Sequence, residues 1–282
     1  MQTCVAITSL LVSANNKCTY SIYCIISEDL SEEDLQPVRL IVNNFSKNSK
    51  LHFLYKNNNY DDAYIPANKG EWSKAVYYRL MLPDLLPDID KIIYLDSDTI
   101  ILKDLTDLNS VKFNGNLLLG CLDFLNNDIL WKQRFNNYWL PLDKSRCFNT
   151  GMLVMNLKKI REKKLSKKWI ELAKKEIRCV DQDVLNSACL GKIGLVDTVY
   201  NRAIIDKTKI KPIITEDEFK KTVILHYVYP KPWIEKSLYS DIWWKFAKMT
   251  EFYEQLMLNY SINMLKRIKI SELSTATDFT DI

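Results

Sequence analysis

Chemistry is concentrated in a few short segments of this chain, and the first is Tyr94-Leu95-Asp96-Ser97-Asp98. The run Ile92–Leu95 is apolar without alternation, which predicts a buried parallel strand. Asp96 and Asp98 follow at its carboxyl end, where open α/β sheets hold their ligands. Side chains alternate along an extended chain, so both carboxylates are expected on one side and Ser97 on the other. Two hard oxygen ligands so placed suit Mn²⁺ or Mg²⁺, whose shell is completed by substrate phosphates. Asp-Ser-Asp is equally good turn chemistry, and a plain surface turn is the competing reading.

Four further segments carry polar groups. In Ser73-Lys74-Ala75-Val76-Tyr77-Tyr78-Arg79 a helix capped by Ser73 would put Lys74 and Tyr78 on one face with Arg79 a step away, in reach of a phosphate or a sugar hydroxyl. Asn149 and Thr150 open the apolar run after Phe148, and Gly151 allows close backbone approach there. Asp181-Gln182-Asp183 begins a helix; Asp183 reads as its cap, leaving Asp181 and Gln182 exposed at an N-terminus that suits polar ligands. His226 ends a late strand and is followed by Lys231-Pro232-Trp233, which offers a nitrogen ligand and a point charge.

These residues need elements to hold them. Helices are expected over 4–14, from Ser31, from Ser73 to Leu82 with Pro83 as the stop, over 169–177 and over 181–190. Strands are expected over 20–26, 51–55, 91–95, 117–120, 151–157 and 222–225. The alternation predicts a mostly parallel sheet with covering helices. At 282 residues, 47% hydrophobic and 26% charged, the chain is long enough for one large globular domain. A net charge of +4 is too mild to argue for nucleic acid, and none is expected as a partner. Seven cysteines without a C-x-x-C pair, and no secretory pattern at the amino end, point to reduced thiols in the cytoplasm. Six glycines and no G-x-G-x-x-G or Walker pattern argue against a dinucleotide fold or a P-loop.

Taken in order, the Tyr-Tyr-Arg-Leu helix, Leu-Asp-x-Asp, Phe-Asn-x-Gly, Asp-Gln-Asp-x-Leu-Asn and His-Tyr followed by Lys-Pro-Trp resemble the family 8 retaining glycosyltransferases, from near residue 3 to Trp233. The resemblance implies a type-A glycosyltransferase fold, a Rossmann-like mixed sheet flanked by helices. It implies a hexosyltransferase that moves galactose or glucose from a UDP-hexose donor, with retention, to a lipopolysaccharide or other cell-surface glycan acceptor. Carried over by position, Asp96, Asp98 and His226 would ligate Mn²⁺. Arg79, Lys74, Ser97, Asn149 and Lys231 would line the donor site, and Asp181 and Gln182 would act at the sugar. Gln182 is a poor nucleophile, so attack from the leaving-group face is expected rather than double displacement.

Two departures stand out. Relatives open with a central strand carrying uridine contacts, and this chain begins about where the next helix does. The first strand is therefore expected to be missing, with its neighbours' edges left open. Tyr229 also stands where the family has glycine, one residue closer to Lys231 than usual. The alternative function is accordingly an inactive or weakly nucleotide-sugar-binding homologue in a glycan assembly complex. A nucleotidyltransferase would also use paired carboxylates, but a Gly-rich triphosphate loop is lacking. The boundary is drawn at 236/237. Beyond it lies a helical tail with Trp243, Trp244, Lys245, Phe246, Lys248 and the run Met264–Lys269. It is expected either to pack its aromatics on the core or to lie at the inner face of the cytoplasmic membrane. The acceptor is expected near the Asp123–Asp143 loop and this tail.

Overall fold

The computed structural model describes the whole chain except residues 16, 47, 68–71, 125–135, 137, 206–213 and 277–282, with side chains of the last helix described as far as Arg267. Most of the expected acceptor loop and the end of the tail therefore lie outside the described residues.

Among the described residues, nine strands form three hydrogen-bonded groups: β1 (Ser21–Ile26) with β2 (Lys50–Tyr55); β3 (Lys91–Leu95), β6 (Phe148–Asn156), β5 (Leu118–Leu122) and β7 (Ile193–Leu195) in that order; and β4 (Thr99–Ile101), β9 (Ile224–Tyr229) and β8 (Arg202–Ile205). The β1–β2, β5–β7 and β8–β9 pairs are parallel, while β3–β6, β5–β6 and β4–β9 are antiparallel. The arrangement is mixed rather than mostly parallel. The apolar run before Asp96 is also not a buried parallel strand: β3 pairs antiparallel with β6, and every residue in it is half-buried. Ile92 and Tyr94 pack against one core cluster and Ile93 and Leu95 against another, so the absence of alternation reflects apolar cover on both faces of an antiparallel strand.

Among the described residues β1 pairs with β2 only, and β3 with β6 only, so each keeps one flank without a ladder. Four of the six residues of β1 are half-buried, whereas seven of the nine in β6 are buried. The first core packs Tyr77, Phe148, Leu153, Met155, Trp169, Val184 and Leu185 between the β6 sheet and its helices. A second packs Val5 of the helix Gln2–Ser13 with Ile100, Leu225, Tyr227, Trp243 and Phe246. Trp243 is fully buried there, so the helix Ser240–Ala247 beyond the expected boundary is built into the core of the sheet region. On the helix Tyr253–Ala276, Leu258, Ile262 and Leu265 are exposed. No described helix is long and apolar enough to cross a membrane.

The segment from Ser73 differs from the expected α-helix. Ser73 does cap it, its hydroxyl accepting from the Ala75 N–H at 3.3 Å, but Lys74–Met81 winds as a 3₁₀ helix. Three residues per turn place Val76 over Arg79 and take Lys74 off the face of Tyr78. Pro83 does not stop the chain; it stands in the first turn of a short α-helix, Leu82–Leu85, where its missing N–H costs nothing.

Candidate active site

Asp96 and Asp98 converge because of a turn, not because of strand alternation. Thr99 closes it, its N–H donating to the Asp96 carbonyl at 3.3 Å and its hydroxyl to the same oxygen at 2.7 Å. Ser97 is exposed at the tip. The turn reading holds, and the same loop leaves both carboxylates on one side. Its two ends are held by different sheets: the Asp96 N–H donates to the Gly151 carbonyl of β6 at 2.9 Å, and the Tyr227 N–H of β9 donates to the Asp98 carbonyl at 3.0 Å. The antiparallel register of β4 and β9 sets His226 opposite Thr99, and so beside Asp98. His226 lies inside β9, which runs on to Tyr229, rather than at its end.

One atom each of Asp96, Asp98 and His226 come within 4.8 Å of one another. His226 Nε2 is 3.2 Å from Asp98 Oδ1 and 3.9 Å from Asp96 Oδ2. Asp98 Oδ1 is buried and has no hydrogen-bond partner of good geometry among the described residues. A buried, unpartnered carboxylate oxygen facing an imidazole nitrogen and a second carboxylate fits a divalent cation. Gly151 makes room for the ring: a Cβ there would stand 2.1 Å from His226 Cε1. The close approach expected at Gly151 is to this histidine.

The other oxygens of the pair are taken by cations and donors. Lys231 donates to Asp98 Oδ2 and, at 2.8 Å, to the Tyr227 carbonyl. Burial opposes the Asp98 charge, but His226 and Lys231 outweigh it and hold the carboxyl well below the ordinary carboxylate range. Asp96 Oδ1 accepts from Arg79 and from the Tyr94 hydroxyl, both at 2.7 Å. Arg79 also lies 3.1 Å from Asp181 Oδ2, donates to the Thr150 carbonyl, and stacks over Tyr94 at 4.5 Å. Burial works against the Arg79 charge, and Asp181 and Asp96 more than restore it. Burial likewise pushes the Asp181 carboxyl up to about 6, against the pull of Arg79.

Asp181 is therefore not exposed at a helix mouth; it is 4% exposed and backs onto Arg79. Asp183 is not the cap residue either. It sits inside the helix Val180–Ala188 and reaches back, Oδ2 accepting from the N–H groups of Arg178 and Cys179 and from the Tyr138 hydroxyl. The missing N-cap side chain at Cys179 is replaced from within the helix. Gln182 stays half-buried, donating to Asp123 Oδ2 at 3.1 Å and accepting from Asn149 Nδ2 at 3.4 Å. Asn149 also donates to Asp123 at 3.3 Å.

The structure thus brings together Arg79, Asp96, Asp98, Asp181, His226 and Lys231, with Asn149 and Gln182 in a second hydrogen-bonded group alongside. Lys74 is not joined to them; its ammonium is spent on the Ala63 carbonyl. Three residues that bear on the site were not singled out. Asp123 follows β5 as Asp96 follows β3, a signal that sequence could have given. Tyr94 was seen only as part of an apolar run. Asn201 precedes β8 with no motif to mark it, and its place comes from the β8–β9 register alone.

Residues 1–237 match the family model described as Glycosyl transferase family 8. A putative glycosyltransferase of Haemophilus influenzae is 30% identical over 168 residues, covering 58% of this chain and 50% of that protein. A lipopolysaccharide 1,2-glucosyltransferase of Escherichia coli K12 is 25% identical over 248 residues, covering 84% of this chain and 70% of that one. The chain thus spans half the length of the first of these relatives. Among solved structures, the apo bifunctional glycosyltransferase WbbM superposes with a TM-score of 0.77 at 19% identity, over 92% of this chain and 49% of that one. The galactosyltransferase LgtC, solved in complex with donor and acceptor sugar analogs, gives 0.71 at 24% identity, over 89% and 92%. At these identities the structural likeness speaks for the fold, which is the type-A glycosyltransferase fold.

Proposed function

The chain belongs to glycosyltransferase family 8, and from that premise we propose that it transfers a hexose, galactose or glucose, from a UDP-sugar to a lipopolysaccharide or related cell-surface glycan, with retention at the anomeric carbon. The observation that carries this reading is the convergence of Asp98 Oδ1, Asp96 Oδ2 and His226 Nε2 on one point. Mn²⁺ held there would neutralise the charge that the leaving diphosphate gains as the glycosidic bond breaks. Lys231 shares Asp98 from the opposite oxygen and has a flexible stem, so it can turn from that carboxylate to a phosphate oxygen. No proton transfer is needed on the leaving side.

On the sugar side, Asn149, Gln182 and Asp123 form a polar wall beside the cluster. Double displacement would need a free carboxylate at the anomeric carbon. Asp181 is buried on Arg79, and Gln182 presents an amide. Both arrangements favour attack by the acceptor on the face that UDP leaves, with Arg79 and Asp181 fixing the helix start that carries Gln182. Exposed Leu258, Ile262 and Leu265 near Lys266 and Arg267 support peripheral contact with the inner membrane face, where a glycolipid acceptor would lie.

A second reading, a weak nucleotide-sugar binder acting in an assembly complex, is favoured by one observation, the flanks of β1 and β3 that carry no ladder among the described residues. Product analysis separates the two. UDP-galactose or UDP-glucose with Mn²⁺ and lipopolysaccharide core acceptors is expected to release UDP and give a product with the donor's anomeric configuration by NMR. Release of a hexose 1-phosphate, an inverted product, or a sugar trapped covalently on Asp181 or Gln182 would each refute the corresponding part of the proposal.

A further inference from the structure

A buried amide, Asn201, stands between the imidazole and the polar wall. It is 6% exposed and makes two hydrogen bonds with its side chain. Their direction follows from a backbone group. The Gly151 N–H can only donate, and it donates to Asn149 Oδ1 at 2.9 Å. That oxygen is therefore an acceptor, and the Asn201 atom 2.8 Å from it must be Nδ2. The remaining Asn201 atom, 2.9 Å from His226 Nδ1, is then the carbonyl oxygen, which can only accept. His226 Nδ1 must carry a proton whether the ring is neutral or charged. The other ring nitrogen, Nε2, faces Asp98 and Asp96.

We propose that Asn201 is a positioning residue: it holds His226 with Nδ1 protonated and Nε2 aimed at the two carboxylates, and it ties this ligand to Asn149 as one unit. A backbone N–H thereby sets the tautomer of a side chain two amides away. A metal-binding imidazole needs a bare, oriented nitrogen, and the partner of its other nitrogen provides that. The second link makes Asn149 responsive to the same group, because Asn149 Nδ2 is left for Gln182 and Asp123. The metal half of this inference rests on the proposed function; the tautomer half does not.

The chain has two histidines, so ¹⁵N-histidine labelling of the metal-free protein gives one signal set for His226 and one for His52 as internal control. At a pH where both rings are neutral, the wild type is expected to show His226 as Nδ1–H. Asn201→Ala is expected to release that preference and to weaken Mn²⁺ binding about 10–100-fold, with His52 unchanged. Asn201→Asp still accepts from Nδ1 and is expected to keep the tautomer and Mn²⁺ affinity. It sets a carboxylate oxygen against Asn149 Oδ1, so binding of a UDP-hexose should fall more than binding of UDP. An Nε2–H wild type overturns the proposal outright, as does an Asn201→Ala protein with unchanged tautomer and Mn²⁺ affinity. If Asn201→Ala does not fold, the wild-type and Asn201→Asp spectra decide. A wild type with Nδ1–H that binds no Mn²⁺ supports the Asn201 assignment and ends the metal reading instead.

Discussion

The corner around His226 and the β1–β2 pair are built to different standards. At the corner, the loop Asp96–Thr99 is tied at each end to a different sheet, Arg79 and Tyr94 share Asp96, and Asn201 backs the imidazole. Almost every polar group there has its orientation set by something buried behind it. The β1–β2 pair has one ladder, no ladder on either outer flank among the described residues, and residues that are mostly half-buried. The difference teaches where function is encoded in this chain. The polar groups of the corner are held from several elements at once, whereas β1 and β2 contribute mainly apolar cover, with Tyr23, Ile25 and Leu54 against the first core.

The comparison breaks most sharply at Asp98. Asp98→Asn removes the carboxylate that faces both His226 and Lys231, and Mn²⁺-dependent UDP binding should fall at least about 100-fold, the order expected when a metal ligand is lost from a small site; calorimetry reads it. Gly151→Ala comes next. Its Cβ meets the His226 ring, so metal binding should drop about tenfold and stability by roughly 1–3 kcal/mol as the site shifts to accommodate it. Gly191→Ala is the control at a glycine with φ +71° and open space around it, where backbone strain of about 1–2 kcal/mol is expected and metal binding should not change. Hydrogen exchange sharpens the contrast: β1 and β2 amides should exchange through local opening well before those of β6, and equal protection would mean the open flank costs the fold nothing.

The smallest effect is on pH. The Asp181 carboxyl titrates at about 6 in the folded protein against an ordinary 3.8, so the folded state keeps that proton longer. Its contribution favours folding at low pH, weakens as pH rises from about 4 to 6, and is flat above that. Asp98 works in the opposite direction, its stabilisation being lost only well below its ordinary range. The difference in melting temperature between wild type and Asp181→Asn should therefore change across pH 4–6 and be constant from 7 to 8; a difference that is the same throughout would place the Asp181 proton elsewhere.

The site was more legible in sequence than the sheet. Carboxylates one residue apart, Asn149 before a glycine and a histidine before Lys-Pro-Trp are chemical patterns, and chemistry depends on residue type. Strand direction does not. Nothing in Lys91–Leu95 distinguishes a parallel from an antiparallel partner, because either accepts the same apolar run. The 3₁₀ winding of Lys74–Met81 was hidden for the same reason, since its periodicity differs from that of an α-helix by less than eight residues can reveal. Burial of Asp181 and the reach of Asp183 back to Cys179 depend on Arg79 and Tyr138, which are remote in sequence. Asn201 was invisible because a lone Asn carries no pattern; only the register of two strands gives it a role.

The most direct test of the central claim is a calorimetric titration of UDP into the 282-residue protein with Mn²⁺ and again after chelation. Binding that requires Mn²⁺ and is lost in Asp98→Asn is the predicted result. Binding of equal strength with and without Mn²⁺, or no binding by a protein that is demonstrably folded, would contradict it.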